Sequence, residues 1–166
     1  RRLPAQLLFD RLVDAAWASG EPGLVFLDTI NRANPTPRLG AIESTNPCGE
    51  QPLLAYESCT LGSINVANFI ARSDAGPAID FTRLADAISL AVRFLDNVID
   101  RNCFPLPQIE QITKQTRKIG LGIMGFADLL IALNIPYNSE AALLTATTLM
   151  EFFQSPAHLS SVRLAD

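Results

Sequence analysis

Apolar residues recur at helical spacing in two stretches of the chain, and each stretch predicts an amphipathic helix. The first covers residues 4–19 and is closed by Gly20, a residue type that commonly ends helices. The second begins after Asp80, whose carboxylate is suited to capping a helix N-terminus. The stripe of this second helix is expected to form a core, and it consists of Phe81, Leu84, Ala85, Ile88, Ala91, Val92, Leu95, Val98 and Ile99.

The helical pattern continues towards the C-terminus, so residues 80–166 are expected to be mainly helical. Residues 114–133 and 139–153 predict two further helices, and a short last helix is expected near Pro156. The first of these contains the glycine-rich run G-L-G-I-M-G at 120–125. Glycine inside a helix costs about 0.5–1 kcal/mol, so we expect another backbone to pack closely on that face.

The intervening segments lack a helical period and are rich in proline, glycine and polar residues. A short apolar run at 24–30 cannot be assigned from its period alone. The expected elements are a loop at 34–37, a loop or hairpin at 40–52, a strand followed by a turn at 59–69, and a surface loop at 72–77.

Composition indicates a globular protein, because 48% of the 166 residues are hydrophobic and only 18% are charged. The formal net charge of −4 argues against nucleic-acid binding through a basic face. The one basic cluster, Lys114, Arg117 and Lys118, has the spacing of a solvated helical face. No stretch predicts a membrane span, and the absence of an initial Met suggests an internal piece of a longer protein.

The cysteine and histidine content argues against a disulfide framework and against a metal site. Three cysteines and one histidine lack the paired spacing of metal ligands. An odd and sparse set of cysteines is instead typical of a reducing compartment, so we expect a cytoplasmic location.

Candidate chemistry is concentrated in the run S-T-N-P-C-G-E at 44–50. If this run is extended, Asn46, Cys48 and Glu50 stand at alternate positions and project to one side. A reactive thiolate needs a nearby cation or imidazole, and no Lys, Arg or His lies between Arg38 and Arg72. We therefore expect Cys48 to stay protonated, suited to exchanging a hydrogen atom, with Glu50 able to accept a proton. The structural alternative is a buried cysteine in a proline-rich loop.

The sequence around this run resembles the large chain of ribonucleotide reductases. The segment T-N-P-C-G-E-Q-P-L-L, followed by E-S-C-T-L-G-S-I-N, is similar to that family's active-site finger loop and the strand after it. The interval of 11 residues between Cys48 and Cys59 (59 − 48) resembles the adenosylcobalamin-dependent, or class II, branch. Similar runs occur in the family's order at 20–31, 94–100 and 118–130, so the resemblance covers essentially the whole chain.

The resemblance implies a role for four residues. Cys48 would become a thiyl radical that abstracts the substrate's 3′-hydrogen, and Glu50 would take the 3′-hydroxyl proton. Asn46 would hydrogen-bond the substrate. Cys59 would be one half of a redox pair that reduces the 2′ position and ends as a disulfide, with its partner upstream of Arg1.

The implied fold is α/β, a mostly helical segment of a ten-stranded α/β barrel that carries the finger loop. Residues 1–166 would be a piece of one catalytic domain, with its finger region at 34–52. The implied enzyme reduces ribonucleotides to 2′-deoxyribonucleotides with adenosylcobalamin and a thioredoxin-like thiol reductant, and the full-length form would be a homo-oligomer. The piece alone is expected to be inactive.

Two alternatives remain open at this point. The chain could come from the class I large subunit, which uses the same thiyl chemistry but receives its radical from a separate protein. It could also be a non-catalytic module, because it lacks the upstream redox cysteine.

Three other features predict structural roles. The run at 120–125 matches G-x-G-x-x-G, but it follows a basic helical run and lacks the strand of a dinucleotide site. His158 is expected to be a surface histidine. Cys103 is expected to be a small apolar filler at a helix end.

Overall fold

The computed structural model describes residues 2–74 and 76–165, which belong to two compact units that meet in the sequence between Tyr56 and Glu57. Helices predominate in both, and the described strands form three two-stranded sheets. In chain order the elements are α1 (Ala5–Ser19), α2 (Leu27–Arg32), β1 (Ser44–Thr45), β2 (Pro52–Leu53), β3 (Thr60–Asn65), a 3-10 helix (Val66–Phe69), β4 (Ile70–Ser73), β5 (Gly76–Ile79), α3 (Phe81–Arg101), α4 (Pro107–Thr116), β6 (Ile119–Met124), α5 (Phe126–Ala132) and α6 (Glu140–Ala165).

The N-terminal unit confirms the first predicted helix. Helix α1 ends at Gly20, whose left-handed φ of 83° lets its N–H donate to Ala16 O at 2.8 Å. The apolar side of the helix stays exposed within the described residues, and Trp17 is 92% exposed. The apolar run left unassigned in the sequence supplies the first turn of α2.

The predicted loop or hairpin at 40–52 is a hairpin. Strands β1 and β2 pair antiparallel, with Ser44 opposite Leu53. Asn31 holds the start of this hairpin, because its amide donates to Ile42 O at 2.9 Å and accepts from Ile42 N at 2.7 Å. The amide of one α2 residue thus substitutes for a ladder partner of Ile42.

The core of the C-terminal unit is built on α3, as predicted. The Asp80 carboxylate accepts from Arg83 N at 3.0 Å and caps the helix. Five residues of the predicted stripe are buried, namely Leu84, Ile88, Val92, Leu95 and Ile99. Leu84, Ile88 and Val92 form one core with Leu129, Leu149 and Phe153 of the following helices, and apolar side chains of the parallel pair β3–β6 pack against it. The predicted strand at 59–69 is confirmed as β3 and the 3-10 turn after it.

The surface loop predicted at 72–77 is wrong, because residues 72–73 and 76–77 belong to two paired strands. Strands β4 and β5 pair antiparallel, with Arg72 opposite Pro77. Proline is tolerated on an edge strand, where its missing N–H breaks no ladder.

The single helix predicted over 114–133 is also wrong, because strand β6 divides it. Arg117 adopts a left-handed φ of 46° and ends α4. Gly120 and Gly122 then lie in β6, and Gly125, with φ 73°, begins α5. The glycines therefore do not open a helix face to close packing. The prediction that the run lacks a strand is therefore wrong, but two of its glycines lie inside that strand and not at the turn that would hold a pyrophosphate.

The break predicted before Pro156 does not occur, and α6 runs unbroken through this proline. Pro156 removes one backbone hydrogen bond, but packing holds the helix on both sides of it. Before it, Phe153 is buried; after it, Ser160 Oγ donates to Ser89 Oγ of α3 at 3.0 Å.

The basic cluster is not one solvated helical face. Lys114 pairs with Glu110 on the surface of α4. Arg117 hydrogen-bonds Asp96 at 2.7 Å and Asp100 at 2.9 Å on α3. These carboxylates, Asp96 first, raise the pKa of Arg117, and the Arg117 hydrogen bond lowers the pKa of Asp100. Each cation therefore contributes to a separate local contact.

Replacing Gly125 with alanine is expected to destabilise the β3–β6 pair. A Cβ at this position would overlap the Asn65 Oδ1 atom, and the positive φ disfavours any other residue. Strain of this kind costs about 1–3 kcal/mol. Hydrogen exchange of the β3 and β6 amides in a full-length protein should accelerate accordingly. The control is Gly23→Ala, where no atom lies near the added Cβ. Unchanged protection in Gly125→Ala would show that Asn65 moves aside at no cost.

Candidate active site

The hairpin tip between β1 and β2 is a tight turn. Asn46 N donates to Gln51 O at 3.2 Å, and Gly49 N donates to Asn46 O at 3.0 Å. Gly49 has φ 84°, a conformation that glycine adopts without strain. Pro47 and Cys48 are the central residues of this turn. Residues 46–49 thus form a turn. The prediction that the run is extended, with side chains alternating along it, is therefore wrong.

Asn46 braces the tip with one end of its side chain. Its Oδ1 accepts from Gln51 N at 3.0 Å, and a backbone N–H can only be a donor, so the oxygen is correctly oriented. Its Nδ2 makes no hydrogen bond among residues 2–74 and 76–165. The half-buried amide therefore keeps a donor for a ligand.

Cys48 and Glu50 stand on opposite sides of Gly49, and both are exposed. Cys48 carries a free thiol. Within the part of the chain that the structure describes, the Glu50 carboxylate forms no hydrogen bond or ion pair. The tip thus presents a thiol, a carboxylate and an amide donor from five consecutive residues, and the buried structural cysteine considered above is not found at Cys48.

Cys59 lies in the C-terminal unit, directly before β3, and is half-buried. Its thiol is directed to Thr60 O at 3.8 Å. The residues on both sides of it are attached to residues 113–119, the last turn of α4 and the first residues after it, which we call the α4–β6 connection. Ser58 and Thr113 share a hydroxyl hydrogen bond of 2.8 Å, Thr60 N donates to Lys118 O at 3.3 Å, and Lys118 Nζ donates to Glu57 Oε2 at 2.7 Å.

The ion pair between Glu57 and Lys118 is a feature that sequence reasoning missed. The Glu57 side chain is fully buried, and that of Lys118 is 15% exposed. A glutamate two residues before a candidate cysteine was a visible signal. Its partner lies 61 residues away, however, and becomes a neighbour only through β3–β6 pairing.

The other two candidate residues, His158 and Cys103, lie elsewhere in the C-terminal unit. His158 is exposed on α6, as predicted, beside an apolar groove of about 530 Å³ that Val92, Leu121 and Phe153 line. Cys103 lies two residues beyond α3 and is exposed, so the prediction of an apolar filler is wrong. Among residues 2–74 and 76–165, no group of three His, Cys, Asp or Glu side chains could hold a metal ion. Among the described helices, none has the length and apolar character needed to cross a membrane.

Comparison with known proteins identifies the chain's relatives. All of residues 1–166 match the family model described as "Ribonucleotide reductase, barrel domain". The chain is 53% identical over 166 residues to the vitamin B12-dependent ribonucleoside-diphosphate reductase of Thermoplasma acidophilum, covering 100% of this chain and 21% of that protein. It is 56% identical over 165 residues to the protein of the same name from Mycobacterium tuberculosis, covering 99% and 23%.

A solved structure has a similar fold. The class Id ribonucleotide reductase alpha subunit of Actinobacillus ureae superposes with a TM-score of 0.74 at 24% identity, over 96% of this chain and 31% of that one. The chain spans about a fifth to a quarter of the length of the curated relatives named above.

Proposed function

Since the chain belongs to the ribonucleotide reductase barrel-domain family, we propose that a protein containing it reduces ribonucleotides to 2′-deoxyribonucleotides. The names of the two curated relatives favour ribonucleoside diphosphates as substrates and a vitamin B12-derived cofactor. The observation that carries the proposal is the hairpin tip, where Cys48 and Glu50 are exposed without partners in the described chain and Asn46 keeps a donor.

In the proposed reaction, the sulfur radical of Cys48 takes the hydrogen atom from C3′ of the substrate and leaves a carbon radical there. Glu50 accepts the proton of the 3′-hydroxyl, and Asn46 donates its free N–H to a substrate oxygen. The 2′-hydroxyl then departs as water. Two thiols, one of them Cys59, supply two electrons and two protons and end as a disulfide. Cys48 finally returns its hydrogen atom to C3′, Glu50 returns the proton to the 3′-oxygen, and the sulfur radical is regenerated.

The proposed radical chemistry requires Cys48 to be shielded, because a thiyl radical that meets solvent or a second thiol is quenched. Cys48 is exposed in this chain, so other parts of a longer protein would supply the cover. We propose that the chain is a piece of a single ten-stranded catalytic barrel. The parallel pairing of β3 and β6 supports this, since parallel strands normally occur in larger sheets that are covered on both faces.

The cofactor proposed from the relatives' names is adenosylcobalamin, which would supply the first radical. The described residues do not form a recognisable site for it. The one imidazole, that of His158, is exposed on α6, and the described chain holds no cluster of metal-binding side chains. We therefore assign no cofactor contact to this chain and derive no step through the cofactor.

The proposed partners are the ribonucleotide and a thioredoxin-like reductant that recycles the disulfide, and the full-length protein is proposed to be a cytoplasmic homo-oligomer. The protein's own pair of thiols would reduce only one substrate molecule before it is oxidised, so repeated turnover needs the external thiol.

Cys59 is expected to be oxidised during a single turnover. A pre-reduced full-length protein, given substrate and cofactor but no external reductant, should lose the reactive Cys59 thiol in proportion to the product formed. Thiol labelling before and after turnover, read from the Cys59 peptide by mass spectrometry, measures this loss.

Cys103 is the internal control for this experiment, because it is an exposed free thiol outside the proposed reaction. It should be labelled equally before and after turnover. If Cys59 stayed reduced while Cys103 was consumed, the redox assignment of the two cysteines would be reversed.

A further inference from the structure

The chain around Cys59 is attached to one short connection of the C-terminal unit. Glu57, Ser58 and Thr60 each bond to a residue of the connection 113–119, so the attachment brackets Cys59 on both sides. Two of these three contacts are made by Lys118, which binds Glu57 through its side chain and Thr60 through its carbonyl. We call the four residues 57–60 the cysteine segment.

Among the contacts of this attachment, the Glu57–Lys118 ion pair has the largest desolvation cost. Removing a carboxylate fully from water carries a large desolvation penalty, and an apolar pair of similar volume often stabilises a fold as well or better. The same cost makes the contact specific, because a buried carboxylate is tolerated only with its partner in place. Such a pair therefore fixes one geometry more strongly than it raises overall stability.

We propose that Glu57 and Lys118 are positioning residues for Cys59. Their ion pair fixes the cysteine segment on the α4–β6 connection and so fixes the place from which the Cys59 thiol acts. The proposal rests on the proposed redox function of Cys59. It adds two residues that touch neither substrate nor the reacting atoms.

The chain contains a matched control in Arg117, the residue next to Lys118. Arg117 also belongs to the α4–β6 connection and also forms ion pairs across elements. Its partners, Asp96 and Asp100, lie on α3 and not in the cysteine segment. Loss of the Arg117 contacts therefore weakens the same connection without releasing Cys59.

The test uses reduced full-length protein and measures the rate at which iodoacetamide alkylates Cys59 relative to Cys103. The main variant is the double substitution Glu57→Gln with Lys118→Gln, which removes the ion pair without leaving a buried unpaired charge. We expect the Cys59 rate to rise about tenfold, within the range of coupling between contacting residues. Arg117→Gln should leave the ratio near that of the parent. Lys118→Arg keeps a cation at this position, so its ratio of Cys59 to Cys103 alkylation should also stay near that of the parent.

A second readout separates positioning from general stability. Under single-turnover conditions the double variant should form less product per site at an unchanged Kd for substrate, while Arg117→Gln behaves like the parent. If the double variant fails to fold, Glu57→Gln alone decides, since its amide can still accept from Lys118. A smaller rise in the Cys59 rate then supports the proposal, and no rise overturns it.

An unchanged Cys59 rate in the folded double variant, or an equal rise in Arg117→Gln, would also overturn the positioning role. Failure of the proposed function has a different signature. Full multiple-turnover activity of Cys59→Ser would remove the redox role, whatever the alkylation rates show.

Discussion

Cys48→Ser is expected to abolish deoxyribonucleotide formation by a full-length protein that contains this chain. The proposed role requires Cys48 to give and take a hydrogen atom, and the O–H bond of serine is too strong to replace the S–H bond in that exchange. Because serine is close to cysteine in size and the Cys48 side chain has no hydrogen-bond partner among the described residues, the substitution should leave folding and substrate binding intact. Product analysis at saturating substrate and cofactor, with thermal unfolding measured alongside, checks this expectation.

The matched control is Cys103→Ser, which removes another exposed free thiol from the same chain. It should retain the parent turnover, so that loss of activity in Cys48→Ser cannot be attributed to thiol loss in general. Appreciable product from Cys48→Ser would contradict the hydrogen-atom role and would leave Cys48 as an ordinary loop residue.

The elements that the sequence predicts best are those whose local and tertiary preferences agree. In α3 the capping aspartate and the apolar stripe both indicate one helix, and burial of Leu84, Ile88 and Val92 follows from the period alone. At 40–52 the prolines exclude a helix, but the sequence leaves both a loop and a hairpin open. The pairing of β1 with β2 makes it a hairpin.

Strand β6 was missed because two periods compete in the same residues. The basic run at 114–118 continues the pattern of α4, whereas Ile119, Leu121 and Ile123 alternate as in a strand. Helix α4 ends at Arg117, a non-glycine residue that adopts a left-handed conformation while its side chain binds two aspartates of α3. That contact is tertiary, so no local sequence pattern predicts it.

In the candidate site, too, the residue types can be predicted from the sequence but their arrangement cannot. The identities of Asn46, Cys48 and Glu50 follow from the sequence, but their arrangement depends on the turn hydrogen bonds at Gly49 and Gln51. The attachment of Cys59 could not be predicted at all, since it depends on the pairing of β3 with β6. The sequence therefore identifies the chemistry of the site, whereas the contacts that orient it come from the fold.

Glu50→Gln is expected to lower turnover by about 10²–10⁴-fold, the usual contribution of a general base within hydrogen-bond reach. Glutamine keeps the shape of glutamate but cannot accept the proton of the 3′-hydroxyl. Substrate binding should survive, so that kcat falls while the Kd for substrate stays near the parent value. The control is Glu43→Gln, an exposed glutamate next to β1, which should leave kcat unchanged.

The competing explanation is that Glu50 only braces the hairpin tip, in which case glutamine would serve nearly as well. The geometry disfavours a brace, because the tip is already held by the Asn46 side chain and by Gly49 N, whereas the Glu50 carboxylate has no partner among the described residues. A group that contributes nothing to the loop is instead available to a substrate. Turnover of Glu50→Gln within a few-fold of the parent, at saturating substrate and cofactor, would decide for the brace and against the base.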